Sequence, residues 1–184
     1  MKRLGIVATL CLLLFGCFGK ASAQSVDIPD LKGKVVYGGT FGGGLSGNYL
    51  SFSISPQVGY RIFHPWEVGI RGSYDLTARF DALNGNVFRH YFGVGPYTSV
   101  EVFRGVFLYA EDEVLYGFSS GNHETWAGKW YNSVFAGGGY RQYAYNGSYV
   151  YILVLYNLSW GNLSSNIWET PYASPFLIRV GYCF

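Results

Sequence analysis

Apolar and polar residues alternate with a period of two along most of this chain, the mark of extended strands rather than of helices. The clearest stretch sets Leu50, Phe52, Ile54, Pro56, Val58 and Tyr60 on one face and Ser51, Ser53, Ser55, Gln57 and Gly59 on the other. In the next, Trp66, Val68, Ile70, Tyr74 and Leu76 oppose Glu67, Gly69, Arg71, Ser73 and Asp75. Near the C-terminus Phe176, Ile178, Val180, Tyr182 and Phe184 oppose Leu177, Arg179, Gly181 and Cys183. Weaker stretches at Lys34–Leu45, Val87–Phe103, Val106–Phe118 and Tyr131–Tyr143 are rich in glycine, which lowers strand propensity but permits close backbone approach. Ser148–Trp160 is apolar on both faces, with Asn157 and Ser159 marking the inner one, and brings the expected strands to eight.

The connections alternate in length. Arg61–Pro65, the turn at Arg104-Gly105 and Ala144–Gly147 are tight, whereas Thr77–Asn86, Ser119–Trp130 and Gly161–Tyr172 are long and polar. Ser46-Gly47-Asn48 is a short exception among the latter. Short turns at one end and longer loops at the other are the asymmetry of membrane-spanning barrels.

Composition sharpens this reading. The chain has 26 Gly, 17 Tyr, 14 Phe and 5 Trp, only 13% charged residues and a mean hydropathy of +0.14. That value is low for a helical membrane protein and high for a solvated domain, as expected where alternate residues face lipid and a polar interior. Only helices and closed barrels satisfy the backbone within lipid, and no stretch beyond the N-terminus reaches the ~20 apolar residues a spanning helix requires. The expected fold is therefore all-β: an eight-stranded antiparallel up-and-down transmembrane β-barrel preceded by a cleavable signal peptide.

The signal peptide occupies residues 1–23. Lys2 and Arg3 form its positive region, Leu4 to Phe18 its apolar core, and Ala21-Ser22-Ala23 a small-residue cleavage site before Gln24. Residues 24–33 then form a short periplasmic leader and 34–184 the barrel. Leu14-Phe15-Gly16-Cys17 offers a competing lipobox with Cys17 as the acylated residue, ranked second because Phe15 is bulky for that motif. If Cys11 and Cys17 leave with the signal, Cys183 remains alone and cannot form an internal disulfide.

The alternation turns Glu67, Arg71, Asp75, Arg89, Glu101, Glu111, Glu113, Arg141 and Arg179 inward, with Lys34 and Arg61 near the periplasmic end. Eight strands leave a space that side chains fill, and unpaired charge there is costly, so an interior ion-pair network is expected. Glu111 and Glu113 resemble an acid/base pair, yet paired carboxylates are also what several inward arginines require. Asp112 breaks the pattern by facing outward, which a β-bulge near Ala110–Asp112 would relieve. Tyr60, Trp66 and Phe103 at one end, and Tyr74, Tyr116, Trp160 and Trp168 at the other, read as aromatic girdles. Trp126, Trp130 and Tyr131 form a weaker candidate for a sugar-binding patch. No metal or cofactor motif and no nucleic-acid-binding patch is present in the sequence.

The signal peptide, the eight alternating segments and the run Ile178, Val180, Tyr182, Phe184 together resemble the small eight-stranded outer-membrane barrels, the family of the OmpA membrane domain and OmpX. The resemblance implies that this C-terminal run is read by the barrel-assembly machinery during insertion. It also implies location in the outer membrane of a Gram-negative bacterium, with outer-membrane lipid as partner and both chain ends in the periplasm. Some small barrels are lipid deacylases or palmitoyl transferases that use a His with a Ser and a carboxylate. His64 falls in an inner turn, and neither His90 nor His123-Glu124-Thr125 has the serine of the deacylase pattern, so no catalytic residue carries over. Three functions follow in rank: a structural or surface-interaction protein with a closed, ion-paired interior and a surface ligand at its outer loops; a narrow porin-like channel; and a lipid-modifying enzyme.

Overall fold

The eight strands are β1 (Val35–Ser46), β2 (Tyr49–Phe63), β3 (Trp66–Arg79), β4 (Val87–Phe103), β5 (Val106–Gly121), β6 (Lys129–Tyr143), β7 (Tyr149–Asn157) and β8 (Phe176–Cys183). Each pairs antiparallel with the next and β8 returns to β1, so the sheet closes into an up-and-down barrel. The computed structural model describes residues 34–46, 49–63, 65–80, 85–121, 128–144, 147–160, 171–172 and 174–184, and among these there is no α-helix.

Both the start of β1 and the end of β8 lie at the end of the barrel that carries the connections from β2 to β3, β4 to β5 and β6 to β7. This is the turn end; the opposite, loop end carries the other connections. At the β4–β5 turn, Arg104 and Gly105 both take positive φ, 34° and 87°, as a primed two-residue hairpin turn requires. The register slips between Arg61 and Phe63 and again between Glu101 and Phe103, so each irregularity sits beside a tight turn.

Strand parity sorts the side chains. Leu115, Phe135, Leu153 and Leu155 face inward and are fully buried, together with a ring of tyrosines and most of the charged residues. The exterior is apolar and exposed: Val58, Ile70, Leu108, Val150 and Ile178 are each about half-exposed or more. The barrel thus reverses the usual arrangement of a solvated domain, where charge lies outside and apolar residues inside.

β7 stops at Asn157, short of the Trp160 expected from the alternation. The Asn157 side chain accepts a hydrogen bond from the Ser159 amide (2.9 Å), and Ser159 Oγ accepts one from the Val134 amide (3.1 Å). These side-chain bonds replace the regular ladder after Asn157, while Leu158 N–H still donates to the Val134 carbonyl of β6 (2.8 Å).

The closing seam is short. β1 pairs with β2 along its whole length, but meets β8 only at Gly38↔Cys183, Gly39↔Tyr182 and Thr40↔Gly181. One further bond, Phe184 N–H to the Tyr37 carbonyl (2.8 Å), secures its turn end.

Candidate functional site

The charged residues of the interior gather into two clusters, one above the other along the barrel. Nearest the turn end, Glu67 on β3 receives Arg61 Nε from β2 at 3.4 Å and lies 3.7 Å from Arg141 Nη1 of β6. The hydroxyls of Tyr97 and Tyr149 also donate to Glu67, at 3.0 and 3.2 Å. Five strands therefore converge on one carboxylate that is 2% exposed. Arg141 lies over the Phe107 ring at 4.2 Å and donates to Ser99 Oγ at 2.9 Å. Glu101 belongs to the same end, accepting from Tyr143 (2.7 Å) and from the Gly105 amide (2.8 Å), so it ties the β4–β5 turn to the wall.

The second cluster crosses the middle of the barrel. Arg71 Nη2 lies 2.8 Å from Glu111 and 3.2 Å from Glu113, and Glu111 reaches on to Arg179 Nη1 at 2.6 Å. This chain of alternating charge links β3, β5 and β8 across the lumen. Its remaining acceptor capacity is filled: Tyr109 donates to Glu111 (2.8 Å), Ser73 to Glu113 (2.6 Å), and Tyr172 to Glu113. Glu111 and Glu113 are thus each held by an arginine and a hydroxyl, which is the environment of a structural acid.

Asp75 lies one step nearer the loop end, half-buried, directly opposite Ser53 of β2. Arg89 lies further still toward that end, opposite Thr77 and Ser119, half-buried. Gln57 connects the lower cluster to the seam by donating to Cys183 Sγ (3.1 Å) and accepting from Tyr151 (3.0 Å).

The tyrosines Tyr97, Tyr109, Tyr149 and Tyr151 were not singled out from the sequence, although they share parity with the inward charges and that parity marks them. Tyr172 carries no such signal, because it enters the barrel from the β7–β8 connection.

Asp112 requires a correction. No bulge surrounds it: Val94↔Val114 and Tyr97↔Glu111 keep one register, and the β5–β6 pairing is continuous. Asp112 points outward and is exposed, and Asn132 Nδ2 of β6 donates to it at 2.9 Å. The ladder skips Gly95 and Pro96 because proline has no N–H to give, and this gap falls beside Asp112 without shifting the strands.

Of the aromatic positions, Tyr60, Trp66 and Phe103 are exposed at the turn end, where Trp66 donates to Thr98 Oγ1 at 2.8 Å. Tyr74 and Tyr116 join His90, Phe92, Phe118 and Trp130 in an outward aromatic patch across β3 to β6. The Tyr74 hydroxyl lies 3.1 Å from His90 Nδ1. Trp160 lies half-buried in the turn after β7, off the strand end where it was expected. Trp168, His64, His123 with Glu124 and Thr125, Trp126, and the N-terminal segment with Cys11 and Cys17 fall outside the described residues. Ile178, Val180, Tyr182 and Phe184 all project outward, Phe184 stacking on Tyr37 at 5.3 Å.

No protein-family model matches this sequence, and comparison with curated proteins finds no match. The functional reading rests on the barrel itself: an apolar exterior, two ion-paired layers within, and a short seam.

Proposed function

We propose that the barrel is an integral protein of the Gram-negative outer membrane, with a structural or surface-interaction role and an interior closed to ions. The observation that carries this reading is the reversal of polarity across the wall, with exposed apolar side chains outside and buried charge inside. The outward aromatics of both ends fit the two headgroup layers. The charged layers argue against conduction, since an ion would have to displace arginines and carboxylates that already hold one another. Partner recognition then falls to the loop end.

Single-channel recording tests this reading. The chain without residues 1–23, refolded and inserted in a planar bilayer, is expected to give no stepwise conductance. Steady steps that vanish on altering Arg71 or Glu113 would replace this reading with that of a small channel. Deleting the long loops should abolish surface binding while insertion persists.

Asp112 gives a second test. An acid on a lipid-facing strand costs less than the ~2–4 kcal/mol assigned to a basic residue at the midplane. Asp112→Val is therefore expected to stabilise the barrel in lipid by up to about 2 kcal/mol, read from urea unfolding in vesicles. Destabilisation of similar size would mean that the Asp112–Asn132 pair faces something other than hydrocarbon.

A further inference from the structure

Beyond Thr40 the ladder between β1 and β8 ends, and the facing stretches Phe41–Gly44 and Leu177–Val180 have no register pairs with each other. A cavity of about 460 Å³ occupies this place. Its lining includes the outward-facing Phe41, Ile178 and Val180 together with the inward-facing Ser53, Asp75 and Arg179. A single cavity touches both faces of a barrel wall only where the wall is open. Nothing fills the opening from β1, because Gly42 to Gly44 carry no side chains, and a Cβ at Gly42 would meet only Ser53 Cβ, at 3.9 Å.

We propose that this gap is a lateral portal and that the cavity binds an amphiphile with a zwitterionic headgroup, its apolar chain leaving between β1 and β8. The inference rests on the barrel spanning a membrane. The charge arrangement selects the headgroup: Arg179 on β8, which stays paired with Glu111 through Nη1 (2.6 Å), offers its remaining guanidinium N–H groups to an anionic group such as a phosphate, and Asp75 on β3 receives a cationic one such as an ammonium. Arg71 and Glu113 close the floor, so a headgroup entering from the side has no way through. The backbone supplies a second reason. On the side facing β8, the β1 groups beyond Thr40 have no ladder partner among the described residues of β8, which is costly in hydrocarbon and is relieved by a polar occupant. The volume lies within the ~300–1,000 Å³ of small-molecule sites, suited to a headgroup or one chain.

The barrel in phosphatidylglycerol nanodiscs, whose lipid lacks the ammonium, doped with phosphatidylethanolamine bearing a photoactivatable acyl chain, provides the test, with crosslinked residues mapped by mass spectrometry. Labelling at Phe41–Gly44 and Ile178–Val180 is expected to exceed that at far-side exterior positions such as Leu108 by about tenfold, equivalent to about 1.4 kcal/mol. Gly42→Trp should remove the excess, and a phosphatidylglycerol probe with the same chain should not produce it. Even labelling around the exterior of an inserted barrel would overturn the portal and leave the membrane reading intact. Equal labelling by both probes would overturn the headgroup assignment. A barrel that fails to float with lipid in a density gradient would overturn both readings. The wild-type map alone decides the portal should Gly42→Trp fail to fold.

Discussion

Glu67→Ala is expected to cost the barrel about 3–5 kcal/mol, the range for removing one partner from a buried ion pair. The reason lies in how many groups depend on this carboxylate. Arg61 and Arg141 both lie within ion-pair distance of it, and Tyr97 and Tyr149 both donate to it. Alanine would leave two buried guanidinium groups without their acid in a space that water enters poorly, and two hydroxyls without an acceptor. Glu67→Gln keeps an oxygen for the tyrosines but removes the charge, so its cost should fall between that of alanine and zero. Urea unfolding of the refolded barrel measures both, with an unchanged slope showing that the unfolded state is the same. A double variant, Glu67→Ala with Arg141→Leu, should recover part of the loss if charge imbalance dominates. A loss below about 1 kcal/mol for Glu67→Ala would place the cluster among interactions that hold register without contributing much stability.

Much of this architecture is legible in the sequence because strand parity is a local property. Ser51, Ser53 and Ser55 against Phe52 and Ile54 assign a face before any fold is known, and the same rule carries Arg71 and Asp75 inward on β3. Tight connections at Arg104-Gly105 and longer ones at Thr77–Asn86 then order the strands. The rule fails where a local bond outcompetes the ladder, as at Asn157, whose side chain captures the Ser159 amide and ends β7 early. It is also silent on contacts brought in by connections, such as Tyr172 on Glu113. At Asp112 it gave the correct face but led to an unnecessary bulge, because the partner Asn132 comes from another strand and is found only through the pairing of β5 with β6.

The seam is the least legible feature, being set by how far β8 travels beside β1, and it leads to the second large effect. Gly38→Val is expected to prevent stable closure, with a loss above about 4 kcal/mol, a size reserved for substitutions that clash with fixed structure. A Cβ at Gly38 would press on the Tyr182 carbonyl and fall 2.7 Å from Cys183 Cα, and these are backbone atoms that cannot rotate aside. Gly181 is similarly constrained, since its Cβ would fall 2.7 Å from the Gly39 carbonyl oxygen. Elsewhere in the barrel a long ladder would distribute such a displacement, but here Gly38 is one of only a few β1 positions paired with β8. Gly42→Val supplies the control on the same strand: it enters open space, gains strand propensity, and should change stability by no more than about 1 kcal/mol. The compact, heat-modifiable form on gels and protease resistance of β1 and β8 report closure directly. Loss of both for Gly38→Val, with both retained for Gly42→Val, would locate closure in the short run of backbone contact at Gly38–Thr40. Retention by both variants would mean that the seam adjusts by sliding, and that the gap beyond Thr40 can close as β8 moves.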